Sequence, residues 1–255
     1  MARTAWLYTT EDFIGDVAAH PEGGLAFMRQ TPGGSAPARL DAEGRLLWAR
    51  QGVSAREGLL GLSVSPAGEL YAWGWVDGGN TTGSNRAVRY TRDGKSRVVV
   101  GGCGDECGID AFLEDAQGGM LRSWTSLGNT HVHYVRADGS GWRLDDLLED
   151  APSASPFELY DQALLDSGDA FVSAGLLGRV TYWDRDFGVP GEERHAVLKI
   201  APDGSLRWAY ETPAIDGPGY GLGVIAIPDG SVFGFGVYRG SLEWEGFQLP
   251  MAEPD

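Results

Sequence analysis

Cysteine is almost missing from this chain, at two in 255 residues, and so are long apolar runs, basic charge and helical periodicity. Each shortage excludes something. No apolar run approaches the roughly 18 residues of a membrane span, so membrane insertion is not expected, and "MARTAWLYTT" lacks the basic start and apolar core of a signal peptide. Lys and Arg total 20 against 36 Asp and Glu, a balance whose field repels nucleic acid and anionic membrane surfaces while keeping the protein soluble. A nucleic-acid partner is therefore not expected. The two cysteines, Cys103 and Cys107 in "GGCGDECGID", leave three accounts open: a small local disulfide, two idle thiols, or a redox or metal role. The disulfide is the expectation, because no further Cys or His cluster supplies metal ligands and Asp105 and Glu106 would raise a thiol pKa.

What is abundant is glycine, with 39 residues, well above an average share of roughly 7%. Many turns follow. Apolar residues at 42% and charged residues at 22% are ordinary for a soluble globular protein, and 255 residues can bury a core as one large all-β domain or as two ordinary ones.

The turns repeat. One hairpin type recurs as "DVAAHPEGGLAFMRQ", "GLSVSPAGELYAWGW", "AFLEDAQGGMLRSWT", "QALLDSGDAFVSAGL" and "GVIAIPDGSVFGFGV", with turn glycines read as Gly24, Gly68, Gly119, Gly168 and Gly230. A second type falls between them, as "PARLDAEGRLLWARQ", "AVRYTRDGKSRVVVG", "VHYVRADGSGWRLDD" and "VLKIAPDGSLRWAYE", around Gly44, Gly94, Gly139 and Gly204. In each copy a glycine sits between runs of alternating polarity, the signal for a tight turn with an αL position. Two hairpins per unit make four strands, and four-stranded units of about 45 to 50 residues read as β-propeller blades. The fold class is thus all-β, a five-bladed propeller forming one domain. Its blades lie near 13–57, 58–107, 108–157, 158–216 and 217–255, the last completed by 1–12. Alignment of "RTAWLYTTE" with "SLRWAYETP" and "RLLWARQGV" puts Trp6, Trp208 and Trp48 at one position, which makes the N-terminal stretch the outer strand of the last blade. The one helix-like stretch, "WRLDDLLEDA", reads as the tail of a strand running into a short turn.

The order "V-x-A-x-P-D-G-x-V-F-G-F-G", then "G-S-L-E-W-E-G-F-Q-L", then a strand ending "L-x-P-D-G-x-L-x-W-A", carried by residues 222–249, 197–209 and 38–50, resembles the bacterial β-propeller repeats of the SBBP type, relatives of the PQQ-like repeats. The resemblance implies the architecture. It also implies a binding or scaffolding module of an exported protein, extracellular or periplasmic. The quinone cofactor of PQQ enzymes is not implied, and no cofactor is expected.

Aligned on their turns, the five inner strands place Asp16, Gly61, Ala111, Asp161 and Gly223 in one column facing the channel. Two carboxylates from different blades are what glycosidic chemistry needs, so Asp16 and Asp161 are the candidate catalytic pair. The plainer account, that they hold water or a cation, is preferred. Candidate binding residues are aromatics near strand ends and loops: Trp75, Trp124, Tyr182, Trp183, Tyr220, Tyr238 and Trp244, whose flat amphipathic rings suit sugar faces or protein partners. The insertion "GRVTYWDRDFGVPGEERH", residues 178–195, adds Asp184, Arg185, Asp186 and Arg194 and is the longest loop expected. His131 and His133 share one face of a strand, but no third metal ligand is evident. The function expected is non-catalytic recognition of a carbohydrate or protein by a monomer, with a glycan-acting enzyme as the alternative.

Overall fold

The computed structural model describes residues 13–50, 57–76, 84–101, 107–126, 129–144, 148–149, 157–182, 185–189, 193–211, 220–227, 229–237, 242–244 and 247–249. These residues form two compact units, 1–116 with 120–127 and 117–119 with 128–255. The architecture is all-β, with several four-stranded antiparallel sheets.

In the first unit, β1 (Phe13–Ala19), β2 (Leu25–Thr31), β3 (Gly34–Leu40) and β4 (Leu46–Ala49) form one sheet in chain order. A second sheet repeats it with β5 (Glu57–Val64), β6 (Leu70–Val76), β7 (Ser84–Tyr90) and β8 (Ser96–Gly101). The hairpin of β9 (Cys107–Glu114) and β10 (Met120–Ser126) follows.

The second unit opens with β11 (Asn129–Val135) paired to β12 (Gly141–Arg143), which is the strand tail expected at Trp142. Beyond it, β13 (Leu148–Glu149) is followed by β14 (Phe157–Leu164) and β15 (Ala170–Leu177). Next come β16 (Val180–Tyr182), β17 (Arg185–Phe187), β18 (Glu193–Ile200) and β19 (Leu206–Glu211). Strands β14, β15, β18 and β19 make a four-stranded sheet, and β13, β16 and β17 a three-stranded one. The pairs β20 (Tyr220–Ala226) with β21 (Val232–Val237) and β22 (Leu242–Trp244) with β23 (Phe247–Leu249) complete the unit.

The turns explain the repeat. At eight of them a glycine N–H donates to the carbonyl three residues back over 2.7–3.0 Å, as Gly68 does to Ser65 and Gly204 to Ala201. Each such glycine has φ between 78° and 90°, the left-handed region where a Cβ is costly. Two of the glycines assigned from sequence are corrected by one residue. Gly23, not Gly24, donates to the His20 carbonyl, and the residue matching Gly68 in the third copy is Gly118, with φ 77°, rather than Gly119. The inner-turn glycines thus stand at 23, 68, 118, 168 and 230, a more even series, with steps of 45, 50, 50 and 62. Paired glycines in "EGG" and "QGG" hid the register.

Alternation along each strand makes two apolar faces, and successive sheets bury them against each other. Ala26 and Met28 pack with Leu59, Leu62, Leu70, Ala72 and Tyr90, while the opposite face of the second sheet, Tyr71, Trp73 and Ala87, packs with Phe112. In the second unit Phe171 and Val197 pack with Val224, and the partly buried Ala226 and Val232 join them. Full burial of a ring such as Phe171 is worth about 1.5–3 kcal/mol. Trp48 and Trp142 add a polar lock at the outer turns. The Trp48 indole N–H donates to the Arg92 carbonyl at 2.9 Å, and that of Trp142 to the Ala201 carbonyl at 3.0 Å. The packing role expected of Trp48 therefore includes a directed hydrogen bond, and Trp142, which the sequence alignment does not place with it, makes a matching one.

Trp142→Phe keeps the ring and deletes the N–H, leaving the Ala201 carbonyl with the Gly204 N–H as its remaining donor. It is expected to cost about 1–2 kcal/mol, read as a lower urea midpoint at unchanged slope, and Trp48→Phe, whose bond is exposed, is expected to cost less.

Candidate functional site

Asp16 and Asp161 occupy the same place in their sheets, one residue after a bulge in the inner strand. The ladder of β1 on β2 shifts between Ile14 and Val17, and that of β14 on β15 between Leu159 and Asp161. Each carboxylate then accepts two backbone amides. Asp16 takes Val17 N–H on Oδ1 and Leu62 N–H, from the next inner strand, on Oδ2, both at 2.8 Å. Asp161 takes Gln162 N–H and Val224 N–H in the same way, also at 2.8 Å. The two acids are thus clips between consecutive inner strands, one in each unit. Where the column holds Gly61 the reason is steric, because a side chain there would run into the Trp73 indole.

The same bulge exposes an acid that the column reading passed over. In β9 the ladder skips between Ala111 and Ile109, so Asp110 is the extra residue. Bulges re-aim side chains in this way. The Asp110 carbonyl accepts the Trp73 indole N–H at 3.0 Å, and its carboxylate Oδ2 accepts the Thr125 hydroxyl at 2.8 Å. The residue is exposed, yet loss of hydration around the carboxyl holds it above its ordinary range, against the pull of the Thr125 bond. The available signal was an acid beside the aligned column in a strand whose bulge was not anticipated.

The binding candidates fare unevenly. Trp124 is half-buried with the Arg122 guanidinium 5.6 Å from its ring. Tyr182 is fully buried, and its hydroxyl donates to the Gly204 carbonyl at 3.1 Å, so it braces an outer turn rather than facing a ligand. The segment expected as the longest loop instead folds as the β16–β17 hairpin, with Val180 opposite Phe187 and Tyr182 opposite Arg185. Its alternation of buried Val180 and Tyr182 with the intervening Thr181 is a strand pattern, short enough to be overlooked. Asp186 pairs with Arg179 and accepts the Thr181 hydroxyl at 2.8 Å, which holds its carboxyl below the usual range. Exposed Arg185 lies 5.5 Å from the Phe187 ring, and Arg194 pairs with Glu211 at 2.9 Å. Trp75, Tyr220 and Trp244 lie in β6, β20 and β22, and their side chains are outside the described residues. Trp183, Asp184 and Tyr238 lie outside them altogether, as does Cys103, so the expected disulfide to Cys107 falls outside too. His133 is buried in β11, and among the described residues no group of three or more His, Cys, Asp or Glu could hold a metal ion.

No family model and no curated protein matches this chain. Solved structures do. The chain is similar to streptogramin B lyase, at 12% identity over 87% of this chain and 89% of that one, with a TM-score of 0.36. It is also similar to a protein of unknown function from Bacteroides caccae, at 12% identity over 81% and 84% with a TM-score of 0.42. A protein from Lactobacillus plantarum matches at 13% identity over 86% of this chain and 63% of that chain, with a TM-score of 0.49. At TM-scores below 0.5 these likenesses carry no argument, and the functional reading rests on the chain's own residues.

Carboxyl NMR of Asp110 is expected to give a titration midpoint above the ordinary 3.8. Thr125→Val removes a hydrogen bond that favours the ionised form and should move that midpoint further up.

Proposed function

We propose that this chain is a five-bladed β-propeller of one domain, working as a non-catalytic binding or scaffolding module. It recognises a carbohydrate or protein through loops on one face, as a monomer in an extracellular or periplasmic setting. The observation that carries this reading is the double occupation of Asp16 and Asp161 by backbone amides. A glycosidase needs one carboxyl to protonate a leaving group and another to attack or to activate water. A carboxylate that spends one oxygen on its own next amide and the other on an amide of the neighbouring inner strand is placed as a structural acceptor.

Ring closure belongs to the same proposal. In this proposal residues 1–12 supply the outer strand of the last blade, of whose strands the described residues give β20 and β21 as a pair. Deletion of residues 1–10 should therefore lower the melting temperature by several degrees; an unchanged melting curve would sink the closure.

For the function itself, Asp16→Asn and Asp161→Asn are assayed on a glycan array and in a protein pull-down. Each amide substitution sets an N–H₂ group against one backbone N–H and should cost about 1–3 kcal/mol of stability. Binding by the folded variants is expected to persist. Turnover of a glycan by the parent that disappears in both variants would overturn the binding reading in favour of an enzyme.

A further inference from the structure

The first position of the inner turn is occupied by His20, Ser65, Asp115, Leu165 and Ile227 in the five copies. Leu165 meets it with apolar packing alone, in the cluster with Phe171, Val197 and Val224. The fold therefore does not require an ionisable group there. His20 is nonetheless buried at 5% exposure and joins the first sheet to the second. Its Nε2 stands 3.1 Å from the Gly68 carbonyl of the next inner turn, while Nδ1 faces the Glu22 N–H at 3.2 Å and Arg39 Nη2 at 3.3 Å. A carbonyl on one side and two donors on the other specify one neutral tautomer, with the proton on Nε2.

We propose that His20 is a pH-sensitive clasp between the first and second sheets, closed while the imidazole is neutral and loosened when it is protonated. A proton on Nδ1 would face two N–H donors, one of them cationic, so both bonds on that side are lost. The charged groups around the ring are Arg39 from β3, Glu22 from the same turn and Arg92 from the β7–β8 turn. Arg39 and Arg92 both pair with Glu22, at 2.7 and 2.5 Å, so the one nearby anion is already shared between two cations. Arg92 also donates to the Ala67 carbonyl at 2.9 and 2.8 Å, which places this charge network on the turn that His20 grips.

Burial, the largest influence, and the two arginines depress the folded-state His20 pKa below 6.5, against the Gly68 bond and Glu22. The sign follows from linkage. Above about 6.5 the contribution is intact; as pH falls the unfolded chain takes up the proton first, and stability is lost down through the lower folded value.

The test combines histidine NMR with melting curves of the full chain at pH 7.5 and 5.5. The His20 ring is expected to titrate below 6.5, and the wild-type melting temperature is expected to fall by roughly 2–4 °C more than that of His20→Leu, which copies Leu165. Comparison with the variant cancels His131, His133 and His195, which both proteins share. His20 titrating at or above 6.5, or a His20→Leu variant with the wild-type pH dependence, would overturn the clasp. Should His20→Leu not fold, the ring titration decides alone, and His20→Gln, with a neutral donor for Gly68, supplies the second melting comparison.

Discussion

A four-stranded sheet of this size cannot bury either of its faces alone, so everything here depends on how one sheet holds the next. Apolar packing brings the faces together but lets them slide. Register between sheets comes from side chains that reach the neighbouring backbone. Asp16 binds Leu62 N–H, Asp161 binds Val224 N–H, and Ser63 donates to the Phe112 carbonyl at 2.5 Å. Trp48 and Trp142 reach the outer turns, and His20 the inner one. Trp48, Trp142 and His20 reach carbonyls that lie in turns, while Asp16, Asp161 and Ser63 reach backbone groups of the neighbouring inner strand, so both parts of a hairpin serve as anchors.

This division of labour decides which features could be read from the sequence. The hairpins were legible because alternation and turn glycines are local, and nine of them appear where the repeat puts them. The one-residue errors at Gly24 and Gly119 arose where two glycines adjoin and composition cannot say which one takes the left-handed conformation. The β16–β17 hairpin was missed for the opposite reason. Three-residue strands leave too little alternation to separate from a loop, and the burial of Tyr182 depends on the turn at Gly204 more than 20 residues away. Sites made by contacts between sheets carry no local signature.

Position-by-position comparison of the copies separates what the architecture needs from what one copy has added. At the first inner-turn position an alkyl side chain suffices between β14 and β15, whereas the turn between β1 and β2 uses an imidazole with both nitrogens engaged. Gly61 and Trp73 form another such exchange, in which the second sheet replaces the aspartate clip by an indole filling the same space. Its N–H then finds the Asp110 carbonyl, so the bridge to the next strand is kept with different chemistry.

The acids illustrate why a column of aspartates is a poor guide to chemistry in such a fold. A bulge turns one residue out of the ladder, and the following residue is aimed back along the strand. An aspartate in that following place, as at 16 and 161, meets its own next amide and one from the neighbouring sheet, and its charge is consumed by the scaffold. An aspartate one residue earlier, as at 110, is the residue turned out. It keeps its carboxyl at the surface with a single side-chain hydroxyl partner, in surroundings that disfavour the charge. Tyr160 holds that earlier place in β14 and uses it differently, lying over Gly175 with its ring 5.2 Å from that of His195. A shift of one position along the strand therefore changes an acid from a fastener into a surface carboxyl whose surroundings disfavour its charge, and the bulge sets which of the two it is.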